Sequence, residues 1–184
     1  LLLFLYLLTY LPSVYQGTKS IFFKNEWIPS LGISLDFKID GLSMLFGLMI
    51  TGIGTLIYLY AAEYLKRDEN IHRFYCYLTL FMGAMLGVVL SDNLITLFVF
   101  WELTSISSFF LIGYNTNQEA SRKSALWALS LTGLGGFLML AAFALIGNIA
   151  GTYSLNQLLL YPDVLLNNQC YYIIIFLLFV GAFT

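Results

Sequence analysis

Glu102 is an ionisable residue in the wrong company. It lies near the middle of Asn93 to Tyr114, a stretch otherwise made of apolar and small polar residues. That stretch is about long enough to cross a bilayer as a helix. An ionised carboxylate at membrane depth costs roughly 2.5–3.5 kcal/mol on translocon-derived scales. A helix carries that cost only if the carboxyl is protonated, paired, or turned toward water or protein. Low-dielectric surroundings disfavour the charged form of a carboxyl group, and a nearby Lys favours it. The two groups then titrate as one coupled system, which is the physics a proton pump or exchanger needs. The bland alternative is a permanently protonated Glu102 that serves packing alone.

The neighbours suit a surface turned toward protein. Ser105 is three positions on from Glu102, on roughly the same helical face, and Thr104, Ser107 and Ser108 make this half of the stretch polar. Such hydroxyls hold water or bond to other helices. The remaining candidates carry weaker signals. Asp40 and Asp92 stand where helices begin, as caps do. Lys123 is either a snorkelling anchor at a helix start or the mouth of a proton path. His72 titrates in the right range for a relay, but it stands in a charged loop. Cys76 and Cys170 fall near opposite membrane faces, so neither a disulfide nor a metal site is expected, and no phosphate-binding loop or other cofactor signature is present.

The elements around these residues follow from composition. Of 184 residues, 60% are hydrophobic and 10% charged. The mean hydropathy is +0.85. A soluble domain has about 25% charged residues, so these are too few to cover a globular surface. The chain is expected to be an all-α polytopic transmembrane bundle of about six helices. No basic patch suggests nucleic acid. Leu1 to Leu11 has no basic start and no Met, and the far end stops within the apolar run 171–184. Both ends read as cut, and the whole of 1–184 as part of a larger transmembrane domain.

Apolar stretches are expected at 1–15, 40–60, 74–90, 93–114, 124–148 and from 171 onward. An extramembrane loop lies at about 16–39. In it, Ile33 to Ile39 alternates with the period of two of a strand, and 27–32 is a turn candidate. Gly83 and Gly87 form a small-xxx-small pattern that lets helices approach. Gly133, Gly135 and Gly136 mark close packing or a break in the fifth stretch. With alternating crossings, loops 63–73 and 114–124 share one side and carry Lys66, Arg67, Arg73, Arg122 and Lys123. The other side has Lys19, Lys24 and Lys38. The bias puts 63–73 and 114–124 in the cytoplasm.

Three runs carry a family resemblance: Asp40-Gly-Leu-Ser43, the segment from Phe81 to Leu94, and Phe100-Trp-Glu-Leu-Thr-Ser105 followed by Leu111-Ile-Gly-Tyr114. They resemble the large A subunit of Mrp-type multisubunit Na+/H+ antiporters, over roughly residues 36 to 184. That family is shared with antiporter-like subunits of respiratory complex I and membrane-bound hydrogenases. The resemblance implies a parent of fourteen or more helices, in which this chain runs from the second helix into the seventh. It implies a bacterial cell-membrane transporter rather than an enzyme, exchanging cytoplasmic Na+ for external H+ beside other small hydrophobic subunits. In that setting Glu102 matches a fifth-helix glutamate that tunes a seventh-helix lysine, expected just past Thr184. The alternative is a proton-pumping subunit of complex I or of a hydrogenase. The fifth stretch lacks the charges of the long complex I subunit, and Trp101-Glu-Leu-Thr-Ser105 looks more like the Mrp type.

Overall fold

The computed structural model describes residues 1–15, 20–28, 33–66 and 70–184. Lys19, Arg67 and most of the expected turn at 27–32 lie outside the described residues. Among the described residues, eight helices and four short strands follow one another. α1 (Leu2–Tyr15) leads into β1 (Ile21–Phe23), β2 (Glu26–Ile28), β3 (Ile33–Ser34) and β4 (Phe37–Ile39). Then come α2 (Gly41–Tyr64), α3 (Ile71–Leu90), α4 (Leu94–Ile112), α5 (Glu119–Ala150), the short α6 (Leu155–Leu160) and α7 (Asp163–Leu166), and α8 (Tyr171–Ala182). Of these, α2, α3, α4 and α5 are long and apolar enough to cross a membrane, and α1 and α8 are shorter apolar helices.

The helices pack in chain order, α1 on α2, α2 on α3, α3 on α4 and α4 on α5, with α8 returning to α5. Many of their large apolar side chains are exposed, among them Leu56, Leu59, Trp127, Phe137 and Phe176. In lipid those side chains cost nothing, because hydrocarbon tails are as apolar as Leu. Helix association must then rest on close van der Waals contact. The buried cluster of Leu94, Met139, Phe143, Ile146 and Ile174 joins α4, α5 and α8. A second cluster of Leu7, Ile39 and Met44 joins α1, β4 and α2.

Glycines provide the closest approaches. A Cβ on Gly87 would meet the Phe100 ring at 2.1 Å, so α3 and α4 touch there. Gly83 has open space, so only one end of the expected small-xxx-small pattern makes a close contact. A Cβ on Gly135 would meet Thr184 Oγ1 at 1.6 Å, where α5 meets the chain after α8. α5 runs unbroken through its three glycines, which excludes a break there. Its 32 residues span roughly 48 Å at 1.5 Å per residue, longer than the about 30 Å of hydrocarbon. Gly151, with φ 67°, ends it in the left-handed conformation that glycine adopts freely.

The strands form two antiparallel pairs, β1 with β4 and β2 with β3. Ile21 pairs with Ile39, Phe22 with Lys38 and Phe23 with Phe37. The expected strand at 33–39 is interrupted at Leu35 and Asp36. Ser34 and Asp36 on its polar side are buried, as is Ile39 on its apolar side. Alternation reports that a strand has two faces, but not which of them turns inward.

Candidate functional site

Glu102 sits halfway along α4 on the side that meets α5. A Cβ on Gly136 would stand 1.8 Å from its Oε1. The carboxyl therefore lies against bare backbone at the middle of α5, in a place only glycine leaves open. Oε1 is buried and makes no hydrogen bond among the described residues. The preceding residue of α5, Gly135, receives Thr184 and the Gly181 carbonyl. Adjacent glycines thus bring Glu102 and the last residues of the chain onto one helix at one level. This arrangement holds the carboxyl against the backbone of α5, next to the position where the residues after α8 meet the same helix.

The hydroxyls beside Glu102 are occupied differently from the expectation. Thr104 Oγ1 donates to the Trp101 carbonyl at 2.6 Å. Ser107 Oγ donates to the Leu103 carbonyl at 2.7 Å. Ser105 Oγ points back to the Trp101 carbonyl at 3.5 Å. Such back-bonding satisfies the hydroxyl within its own helix and leaves the interhelical surface to small-residue packing. Ser105 and Ser107 are buried all the same.

The other candidates are spread apart. Lys123 is near the start of α5, in an exposed ion pair with Glu119 at 2.8 Å, one helical turn away. His72 is exposed, on the first turn of α3 rather than in a loop, because α3 begins at Ile71. Asp92 lies at the opposite end of the bundle from both. Contrary to the expectation from sequence, it does not cap α4. Asn93 does, accepting from the N–H groups of Ile95 and Thr96 at 3.0 and 3.4 Å. The side chain one residue nearer the helix has the geometry to reach its first N–H groups. Asp40 does cap α2, in a capping box with Ser43.

Asp92 belongs instead to a junction of three segments. Its N–H donates to the Asp36 carbonyl at 2.8 Å, and its own carbonyl accepts from the Leu155 N–H at 2.8 Å. Its carboxylate accepts from the Ser154 hydroxyl at 3.3 Å. Ser34 Oγ donates to Asp36 Oδ2 at 2.5 Å, and Thr96 Oγ1 donates to the Ser34 carbonyl at 2.7 Å. Burial pushes the Asp92 carboxyl above the usual carboxylate range, with Asp36 adding to the push and Ser154, Lys38 and the Asn156 N–H opposing it. Asp36 and Ser34 were not among the sequence candidates. Nothing in a lone Asp on an alternating loop segment marks it as buried.

These bonds also sort the loops. Residues 33–39, 91–93 and 151–155 meet at one end of the bundle. At the other end Phe74 packs on Tyr114 with ring centres 5.5 Å apart. There Arg73 and Arg122 line one cavity. The connections around 70–74 and 114–122 therefore share one end of the bundle, as alternating helix directions require.

Sequence and structure comparisons agree with this architecture. Residues 91–184 match the family described as NADH:quinone oxidoreductase/Mrp antiporter, TM. Residues 27–75 match NADH-Ubiquinone oxidoreductase (complex I), chain 5 N-terminus. The chain is 45% identical to the A subunit of the Na(+)/H(+) antiporter of Alkalihalophilus pseudofirmus, over 100% of this chain and 23% of the relative. It is 44% identical to the A1 subunit of the Na(+)/H(+) antiporter of Staphylococcus haemolyticus, over 99% of this chain and 22% of that one. Among solved structures, a chain of the Mrp complex from Dietzia sp. superposes with a TM-score of 0.85 at 31% identity, covering 98% of this chain and 20% of that chain. The chain thus spans under a quarter of the length of these relatives.

Proposed function

The chain belongs to the NADH:quinone oxidoreductase/Mrp antiporter transmembrane family, and from that premise we propose that it is part of the large A subunit of a multisubunit monovalent cation/proton antiporter. In this reading it works in a bacterial cell membrane, beside other hydrophobic subunits, and exchanges cytoplasmic Na+ for external H+. Loops 63–73 and 114–124 face the cytoplasm, as the distribution of Lys and Arg favours.

Glu102 is the proton-path carboxylate. The observation that carries this role is its seat on α4 against Gly136, with Oε1 buried and unbonded among the described residues. A carboxyl held that way is costly to ionise alone and cheap to ionise beside a cation. A lysine following Thr184 would enter the same level of α5, because Thr184 already abuts Gly135. Protonation of Glu102 and charge on that lysine would then be coupled. Lys123, His72 and Asp92 stand as secondary proton-path candidates. Their separation makes them serve different ends of a path rather than one centre.

Glu102→Gln in the full-length protein tests the role. The amide keeps the shape and cannot release a proton. Na+/H+ exchange in everted vesicles is expected to fall to background while the complex still assembles. Undiminished exchange would leave Glu102 a packing residue.

A second reading is a proton-pumping subunit of a quinone oxidoreductase or a hydrogenase. The match of residues 27–75 to a complex I family favours it. Proton translocation that requires a redox substrate, with no Na+/H+ exchange in its absence, would decide for that reading.

A further inference from the structure

Asp36 and Asp92 share the wall of a cavity of about 280 Å³ at the β-strand end of the bundle, together with Ser34, Asn93, Ser154 and Lys24. Both residues are more than nine-tenths buried, with relative exposures of 8% and 6%. They are treated differently by their surroundings. Asp92 has the Ser154 hydroxyl and the Asn156 N–H. Asp36 spends Oδ2 on Ser34, and its Oδ1 is buried with no hydrogen-bond partner among the described residues. A buried carboxylate oxygen without a donor is costly.

We propose that this junction binds a monovalent metal cation of the Na+ class, with Asp36 and Asp92 as its charged oxygen ligands. The donor chemistry is hard: carboxylates, hydroxyls and amide oxygens, with no Cys or His among the described residues of the wall. Two cationic groups limit the charge the site can accept. Lys24 lines the cavity, and Lys38 lies close enough to act on Asp92 while pairing with Asp40 at 3.3 Å. The Lys38 charge is already matched by Asp40, so the two carboxylates and Lys24 leave one unbalanced negative charge, which suits one monovalent cation and disfavours a divalent ion. The bound ion would tie β3 and the chain before β4 to the 91–93 turn and to the segment ahead of α6. Those segments are already joined by the Phe37–Ser91 and Asn93–Ser154 bridges. The site is remote from Glu102, at the end of the bundle away from loops 63–73 and 114–124.

The test uses the full-length protein in its assembled complex. Hydrogen exchange of peptides covering 33–39 and 152–157 is followed in NaCl, KCl, choline chloride, CaCl2 and MgCl2 at matched ionic strength. NaCl is expected to slow exchange relative to choline chloride. Asp36→Asn should raise the NaCl concentration needed by about tenfold or more, and Ser154→Ala should raise it less. Protection by KCl as well supports the site. Protection equal in choline chloride, protection by Ca2+ or Mg2+ alone, or an unchanged Asp36→Asn response overturns it. If Asp36→Asn does not assemble, the wild-type salt comparison and Ser154→Ala decide. Running Glu102→Gln in parallel separates the two claims: Na+ protection with undiminished exchange in that variant keeps this site and removes the role given to Glu102.

Discussion

Gly136 and Glu102 form one unit, and substitution at the glycine probes the acid without touching it. A methyl at Gly136 would fall on Glu102 Oε1, the free end of a flexible side chain. The chain can yield there, so Gly136→Ala is expected to fold and assemble. It should lower Na+/H+ exchange and move its pH profile, because the carboxyl is pushed to a new environment. An unchanged rate and profile in everted vesicles would show that the seat is irrelevant. Asp40 offers a residue-scale prediction for stability. Burial raises its pKa, but the Ser43 N–H and the Lys38 ammonium outweigh this and hold the carboxyl below its usual range. A carboxyl with a depressed folded pKa stabilises the fold above its unfolded value, near 3.9. That contribution is lost as the pH falls through the depressed value. Asp40→Ala is expected to cost about 1 kcal/mol at neutral pH. The gap in melting temperature from wild type should close on acidification below about pH 3.9.

Helices in lipid gain nothing by hiding leucine, so contacts between elements depend on how closely backbones approach. α3 and α4 meet where Phe100 lies across Gly87. A methyl there overlaps an aromatic ring that is itself packed on Phe37. Gly87→Ala is expected to destabilise the pair by about 1–3 kcal/mol. Adding Phe100→Leu should return part of that loss. A double-mutant cycle on the melting temperature of the complex measures the coupling. Strictly additive effects would mean that the two residues do not share a contact. Gly83, one turn earlier, faces open space, which makes Gly83→Ala the matching control.

Across the molecule, the polar bonds divide the loops into two ends, and charge assigns those ends to sides. Single cysteines at Asn117 and Asn167, both exposed and at opposite ends, should react with an impermeant thiol reagent from opposite faces of the membrane. Asn117 should label only in everted vesicles; the reverse pattern would invert the orientation. The sequence by itself determined the membrane class, the apolar helices to within a few residues, the single carboxyl near the middle of an apolar helix and the family resemblance. Each of those rests on composition or on a local run, since an apolar helix in lipid is specified by its own residues. The tertiary structure decided what Glu102 touches, which glycine of each set makes a contact, and that Asn93 rather than Asp92 caps α4. It also decided that Asp36 is buried beside Asp92, although 56 positions of chain separate them. Such facts depend on which faces meet and at what level. A period of two or of 3.6 marks a face, but only the packing of the other elements says what lies against it.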